Sequence, residues 1–435
     1  MNLRIPAFLC LAACAWGQDA GTTKLTLQQA VALALKQNPQ VILANLAVER
    51  TEEDSRLAYS SLLPAVNGTL GQTTNRVNLH TAIGVKFPGF PQHVGPFYVY
   101  QGGVGFRAPL FDLTLWRRYR ASQVGIEGSR AQEVTAREES VLLVVSQYLG
   151  SQRAAADVAA AQSRVELAQA LYDQAADLQK NGVGTGIDTL RANVQLQNEK
   201  QRLIVASTQL ETSLFGLSRL LSLDPAQKIE LADQMKFFDT TAEPPRQAIE
   251  RAWAARSELR QVSAARRRAE IALRSAGDER YPKVVLNGGW LQQGLTPTSA
   301  IPVYQYQFSM EVPLFTGGRI QAQRAEADIA IRELDQRARD ARDAIALEVK
   351  TALARLDSAR GEVTVANLGV DLAGQEVEQA RDRFQAGVAN NIEVISAQDA
   401  LSRASDNQIA ALYRFNQARA DLAHSVGQME ALYGK

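Results

Sequence analysis

From Leu25 to Ser61, the apolar residues Leu27, Val31, Leu35, Val41, Leu46 and Leu57 recur at helical spacing among Gln, Lys, Glu and Arg, and Pro64 closes the run. Asp112 to about Lys180 contains no proline and is rich in Ala, Gln, Glu, Arg, Val and Leu, most of them good helix formers. Asn181-Gly182-Val183-Gly184-Thr185-Gly186 breaks that segment, and helical character resumes from Asp188 to Leu223. A second cycle follows: Gln247 to Arg280, then Arg319 to Gln385, a break at Gly387, and Ile392 to Leu432.

Between the helical segments the period changes to two. Tyr304, Tyr306, Phe308, Met310 and Val312 alternate with Gln305, Gln307, Ser309 and Glu311, which predicts a strand with one apolar and one polar face. Tyr98, Tyr100, Val104 and Phe106 repeat the apolar face, with Gln101, Gly103, Gly105 and Arg107 on the other. Their predicted partners, Ala65 to Thr74 and Val284 to Gln292, carry Leu70, Leu286 and Trp290. Each pair reads as a hairpin, over 64–109 and 282–313, with a long polar connection in the first and a shorter one in the second. Strands of this length with aromatics near their ends suit a transmembrane barrel whose aromatic face is Tyr98, Tyr100, Phe106, Trp290, Tyr304, Tyr306 and Phe308. The competing reading, soluble surface hairpins, leaves those rings in water.

The two cycles are an internal repeat. Ala30, Pro64 and Val66 recur 218 residues on as Ala248, Pro282 and Val284, and Pro109-Leu110-Phe111 recurs 204 residues on as Pro313-Leu314-Phe315. The predicted fold is mainly α with a small β part. Repeat one spans 18–223 (helix, hairpin 64–109, long helix pair 112–223), a connector spans 224–246, and repeat two spans 247–435 (helix, hairpin 282–313, long helix pair 317–432). At ~1.5 Å per residue each longest helix would reach roughly 100 Å. Their Ala-rich composition suits close coiled-coil contact, and these segments alone would equally suit a long coiled-coil scaffold without a pore. Four strands cannot close a barrel, because the smallest membrane barrels have about eight. The strands therefore call for an oligomer, and three chains would supply twelve of them, continued by an α-helical barrel.

Charge and cysteine content narrow the class. A formal net charge of +1 gives no reason to expect a nucleic-acid partner. The only cysteines, Cys10 and Cys14, lie in a segment read as a secretory signal over 1–17: Arg4, an apolar run to Trp16, then small residues. Ala15-Trp16-Gly17 suits cleavage before Gln18, while Leu11-Ala12-Ala13-Cys14 resembles a lipobox with Cys14 as the acylated residue. No other stretch approaches the ~18 apolar residues of a spanning helix, so a membrane crossing would need a β-barrel.

The order of segments resembles the TolC-like outer-membrane efflux family. Leu25-Thr26-Leu27-Gln28-Gln29-Ala30-Val31-Ala32-Leu33-Ala34 followed by Asn38-Pro39 is similar to that family's opening. Pro109-Leu110-Phe111 and Pro313-Leu314-Phe315-Thr316-Gly317-Gly318-Arg319 resemble its strand-to-helix junctions. The resemblance implies a homotrimer with a β-barrel in outer-membrane lipid and an α-helical barrel in the periplasm. It also implies docking onto a periplasmic adaptor protein bound to an inner-membrane transporter, and a passive duct for efflux or secretion.

No catalytic constellation or cofactor motif is visible, and His80, His93 and His424 are scattered. The helix-to-helix turns are the candidate gate, and by resemblance Gly182, Val183, Gly184, Gly387 and Val388 are adaptor-docking candidates. The plainer alternative is that these turns only reverse the chain. Asp188 and Glu393 stand just past the two turns, where each would either cap a helix start or join a carboxylate ring at a pore constriction. The family's acidic ring matches Glu393, whereas its second ring falls at Ser396, so this chain departs from that pattern. Arg266-Arg267-Arg268 reads as a solvated face, and Trp116-Arg117-Arg118-Tyr119-Arg120 as an interfacial anchor or merely a helix start.

Overall fold

The structure, a computed structural model, describes residues 23–84, 89, 91–238, 243–386, 388–389 and 391–434. The segment 1–17 read as a signal, with Cys14, and Gly387 lie outside the described residues.

The chain opens with a short strand, β1 (Thr23–Leu25), and helix α1 (Leu27–Gln37). A capping box starts α1: the Thr26 hydroxyl accepts from Gln29 N, and the Gln29 carboxamide oxygen accepts from Thr26 N. The helical run from Leu25 to Ser61 is not one helix. Pro39 forces Asn38 into an extended conformation (φ −64°, ψ 127°) and itself begins α2 (Pro39–Ser60). Asn38 is buried, donating from Nδ2 to Leu220 O at 2.9 Å.

Next come β2 (Ala65–Asn78), the single-turn helix α3 (Leu79–Ile83), β3 (His93–Phe111), the 68-residue α4 (Leu113–Lys180) and the 35-residue α5 (Gly186–Leu220). The connector carries β4 (Ile229–Leu231), which pairs in parallel with β1, Leu25 opposite Leu231. Helices α6 (Pro245–Ala255) and α7 (Ser257–Asp278) follow, broken at Arg256 (φ −61°, ψ 126°), the repeat equivalent of Asn38. The second cycle is completed by β5 (Lys283–Gly294), β6 (Ile301–Glu311), the 67-residue α8 (Arg319–Gln385), the 35-residue α9 (Asn391–Ser425) and α10 (Met429–Tyr433).

The chain divides into two compact units. One contains the described residues of Leu43–Thr135 and Arg256–Ala344, and with them a four-stranded antiparallel sheet in the order β2-β3-β5-β6. Both hairpins thus belong to one sheet. Bulges fall between Asn75 and Val77 and between Pro109 and Phe111. The second lets β3 continue past a proline that cannot donate to the ladder.

The other unit contains the described residues of Met1–Ile42, Ala136–Ala255 and Ile345–Lys435. In its core, Val141, Val144, Val145 and Tyr148 of α4 lie at i, i+3, i+4 and i+7 and are fully buried. They pack with residues of α1, α5 and α9 and with Met429. Smaller clusters follow along the helices, such as Leu171 of α4 with Ala380 of α8 and Val394 and Ala397 of α9. The alanines in these clusters, such as Ala380 and Ala397, let the helices pack closely.

Candidate functional site

The turn between α4 and α5 is a Schellman closure. Val183 N donates to Leu178 O at 3.0 Å and Gly182 N to Gln179 O at 3.0 Å, while Gly182 takes φ +74°. An added Cβ at Gly182 would meet nothing within 4 Å. Gly182→Ala should therefore cost only the left-handed backbone penalty, about 1 kcal/mol, read as a small shift of the denaturation midpoint. A drop several times larger would show a packing role instead. The turn presents Val183 at 79% exposure.

The second turn closes the same way where it is described: Val388 N donates to Arg383 O at 3.0 Å, and Val388 is 68% exposed. Glu393 stands in the first turn of α9, and its Oε1 lies 2.9 Å from Arg383 Nε on α8. Ser396 is exposed, whereas Val394 and Ala397 are buried, so Glu393 and Ser396 occupy the outer side of α9. In the first turn, Asp188 accepts from the Thr185 hydroxyl, its own N–H donates to Thr185 O at 3.1 Å, and Arg191 lies 4.0 Å away. Asp188 thus engages the start of α5 directly. Arg383 was not visible as a site residue in the sequence, because only the turn geometry brings it to Glu393.

The sheet register places all seven aromatics on one face. Val104 faces Trp290, Trp290 faces Tyr304, Gly288 separates Phe106 from Tyr306, and Leu286 faces Phe308. Tyr98 and Tyr100 lie on the same face of β3, opposite Thr74 and Gln72. Ring centroids are 6.2 Å apart for Trp290–Tyr304 and 6.3 Å for Phe106–Tyr306. Gly288 is needed between the last pair, since a Cβ there would sit 2.6 Å from both rings. The opposite face carries Asn67, Thr69, Gly103, Arg107, Asn287, Gln305 and Gln307. On the aromatic face Leu70 is 95% exposed and Tyr304 70%.

Arg266 and Arg267 are held in ion pairs: Arg266 with Asp335 at 2.6 Å and with Glu270, Arg267 with Glu127. Trp116 packs against Tyr119, centroids 5.8 Å apart, with the Arg120 guanidinium 5.5 Å over the Trp116 ring. His93 Nε2 lies 2.9 Å from Arg76 Nη2, and the His80 side chain lies outside the described residues. Among the described residues no three His, Cys, Asp or Glu side chains gather as a metal site, and no helix is long and apolar enough to cross a membrane.

Two repeats of long paired helices joined through one amphipathic four-stranded sheet define a TolC-like channel fold. The chain belongs to the outer membrane efflux protein family, whose sequence model matches residues 30–222 and 248–428. Each segment covers one helical stretch, hairpin and long helix pair of the chain. The alkaline protease secretion protein AprF of Pseudomonas aeruginosa is 23% identical over 353 residues, covering 76% of this chain and 70% of that protein. The CmeC outer membrane channel of Campylobacter jejuni superposes with a TM-score of 0.80 at 17% identity, covering 98% of this chain and 94% of that one. The outer membrane protein VceC of Vibrio cholerae gives 0.76 at 16% identity, over 92% and 96%. At such identities these structures speak for the fold.

Proposed function

We propose that three copies of this chain form an outer-membrane duct that passively exports substrates delivered from the periplasm or from an inner-membrane transporter. The observation that carries the reading is the sheet: one face apolar and aromatic, the other largely polar though it includes Val99, Val285, Leu291 and Val303, with β2 and β6 as open edges. Long unpaired edges are a liability in water. If β6 of one copy pairs with β2 of the next, three copies give twelve strands and no edge remains, while the aromatic face meets lipid.

The helices supply a second, independent support. On α5, Ile187, Leu190 and Val194 are each more than half exposed at spacings of three and four, and on α8 so are Val365, Leu368 and Leu372. These are exposed apolar stripes at the spacing of a coiled-coil seam. Packing α5 of one copy against α8 of the next buries both seams and closes a helical barrel in the periplasm. A periplasmic scaffold without a pore would also use such seams, but it leaves the aromatic sheet face unexplained.

In this reading the turns at Gly182-Val183-Gly184 and Gly387-Val388 meet a periplasmic adaptor, which opens the duct. Glu393, Asp188 and Ser396 line the constriction, and three-fold symmetry sets Glu393 and Arg383 in rings of three. Single-channel recording tests it. Glu393→Gln leaves the Arg383 guanidinium uncompensated and should lower the cation-over-anion permeability ratio roughly two-fold or more, whereas Arg383→Ala should raise it. Equal selectivity in wild type and both variants would remove this pair from the pore, and absence of any conductance or of a heat-modifiable trimer would remove the duct. AprF is named for protease secretion and CmeC as a channel, and in this chain the exported class would be set by the transporter it serves.

A further inference from the structure

A few helical turns in from the starts of α5 and α9, α4, α5 and α9 enclose a cavity of about 250 Å³, to which Arg164, Gln195, Glu199, Gln398, Asp399 and Ser402 contribute polar side chains. Helical register delivers them: Gln195 and Glu199 are one turn apart on α5, and Gln398 and Ser402 one turn apart on α9. Three of these side chains carry buried polar atoms without a partner among the described residues: Arg164 Nε, Glu199 Oε2 and Gln398 Nε2. The Glu199 side chain is only 4% exposed. Gln195 Nε2 (3.0 Å) and Arg202 Nη1 (2.8 Å) both donate to its Oε1, which leaves Oε2 unused. Arg164 is held at Nη1 by Ser402 and by Asp406 at 3.0 Å, so its Nε is a donor held in place with nothing to donate to.

Buried polar atoms are almost always satisfied, and three orphans bordering one small cavity need an occupant. Their chemistry selects it. Arg164 Nε and Gln398 Nε2 are donors and disfavour a bare cation. Glu199 and Asp399 disfavour a bare anion, and an apolar molecule would satisfy none of them. A molecule with an ammonium at one end and a carboxylate at the other satisfies all three: the ammonium donates to Glu199 Oε2, and the carboxylate accepts from Arg164 Nε and Gln398 Nε2. The volume lies below the ~300–1,000 Å³ of drug-sized pockets and holds a compact solute. We propose that this cavity binds a small zwitterion of the α-amino-acid class.

The site lies on one chain and is independent of the duct reading. Isothermal titration calorimetry of the purified full chain with L-serine tests it. Saturable binding is expected, at least ten-fold weaker for L-serinamide, which lacks the carboxylate, and for N-acetyl-L-serine, which lacks the ammonium. Glu199→Gln and Gln398→Leu should each weaken L-serine binding ten-fold or more. Gln398 is only half-buried, so its variant tests the site even where Glu199→Gln perturbs folding. No saturable binding of L-serine, equal binding of the amide, unchanged affinity in both variants, or a structure in L-serine with only ordered water in the cavity would each overturn the assignment.

Discussion

Replacing Tyr148 by alanine is expected to destabilise the chain by about 3–5 kcal/mol, the range for removing a buried aromatic and leaving its cavity. Tyr148 is fully buried on α4 between α1 and the connector. Its hydroxyl donates to Leu25 O at 2.9 Å and contacts Asp233 Oδ2 at 3.1 Å, and the same carboxylate oxygen accepts from Leu27 N at 2.7 Å. One phenol thus ties β1, the start of α1 and the connector to the core. Tyr148→Phe keeps the volume and should cost less, about 0.5–1.5 kcal/mol, because one hydrogen bond is lost while Leu25 O keeps its bond from Ala232 N and Asp233 Oδ2 keeps the one from Leu27 N. Burial first, and the Asp233 charge second, raise the Tyr148 pKa above its ordinary value. An acid whose pKa is raised on folding stabilises the fold fully below the unfolded value, near 10, and that contribution is lost as pH climbs beyond it. The gap in stability between wild type and Tyr148→Phe should therefore shrink as pH rises above about 10. Guanidinium unfolding followed by circular dichroism at neutral and alkaline pH reads both effects, and an unchanged midpoint for Tyr148→Ala would refute the clamp.

Most of the architecture is legible because the governing signals are periodic and long. A proline-free run such as 113–180 and the alternation from Tyr304 to Met310 each leave one element type open. Short or punctual features are less visible. Strands β1 and β4 have three residues each, too few for any period, and they exist because the unit places Thr23–Leu25 beside Ile229–Leu231. The break at Asn38 is written in Pro39, but its counterpart at Arg256 has no proline or glycine beside it. The turn closure at Gly182 follows from local chemistry. The Arg383–Glu393 pair and the convergence of Arg164, Glu199 and Gln398 do not, because residues distant in sequence meet only after the helices have packed.

Placing a lysine at Tyr306 and, separately, at its neighbour Gln305 should give opposite results, and the contrast decides which face of the sheet meets lipid. Tyr306 lies on the aromatic face, 6.3 Å from Phe106 across Gly288, while Gln305 faces Gly289 on the polar side. A lysine on the lipid face near the bilayer midplane costs about 2–4 kcal/mol, falling to ~0–1 near the interfaces. In the proposed trimer that cost applies three times in one barrel. Tyr306→Lys should therefore abolish or strongly reduce the heat-modifiable trimer in outer-membrane fractions, and Gln305→Lys should leave it near the wild-type amount. Tyr306→Phe separates charge from ring: it keeps the apolar face and should assemble normally. If both lysine variants assembled equally well, the aromatic face would not be in lipid. If only Gln305→Lys failed, the sheet would be inverted, with its polar face outward, an arrangement that hydrocarbon would not tolerate for Asn287, Gln305 and Gln307.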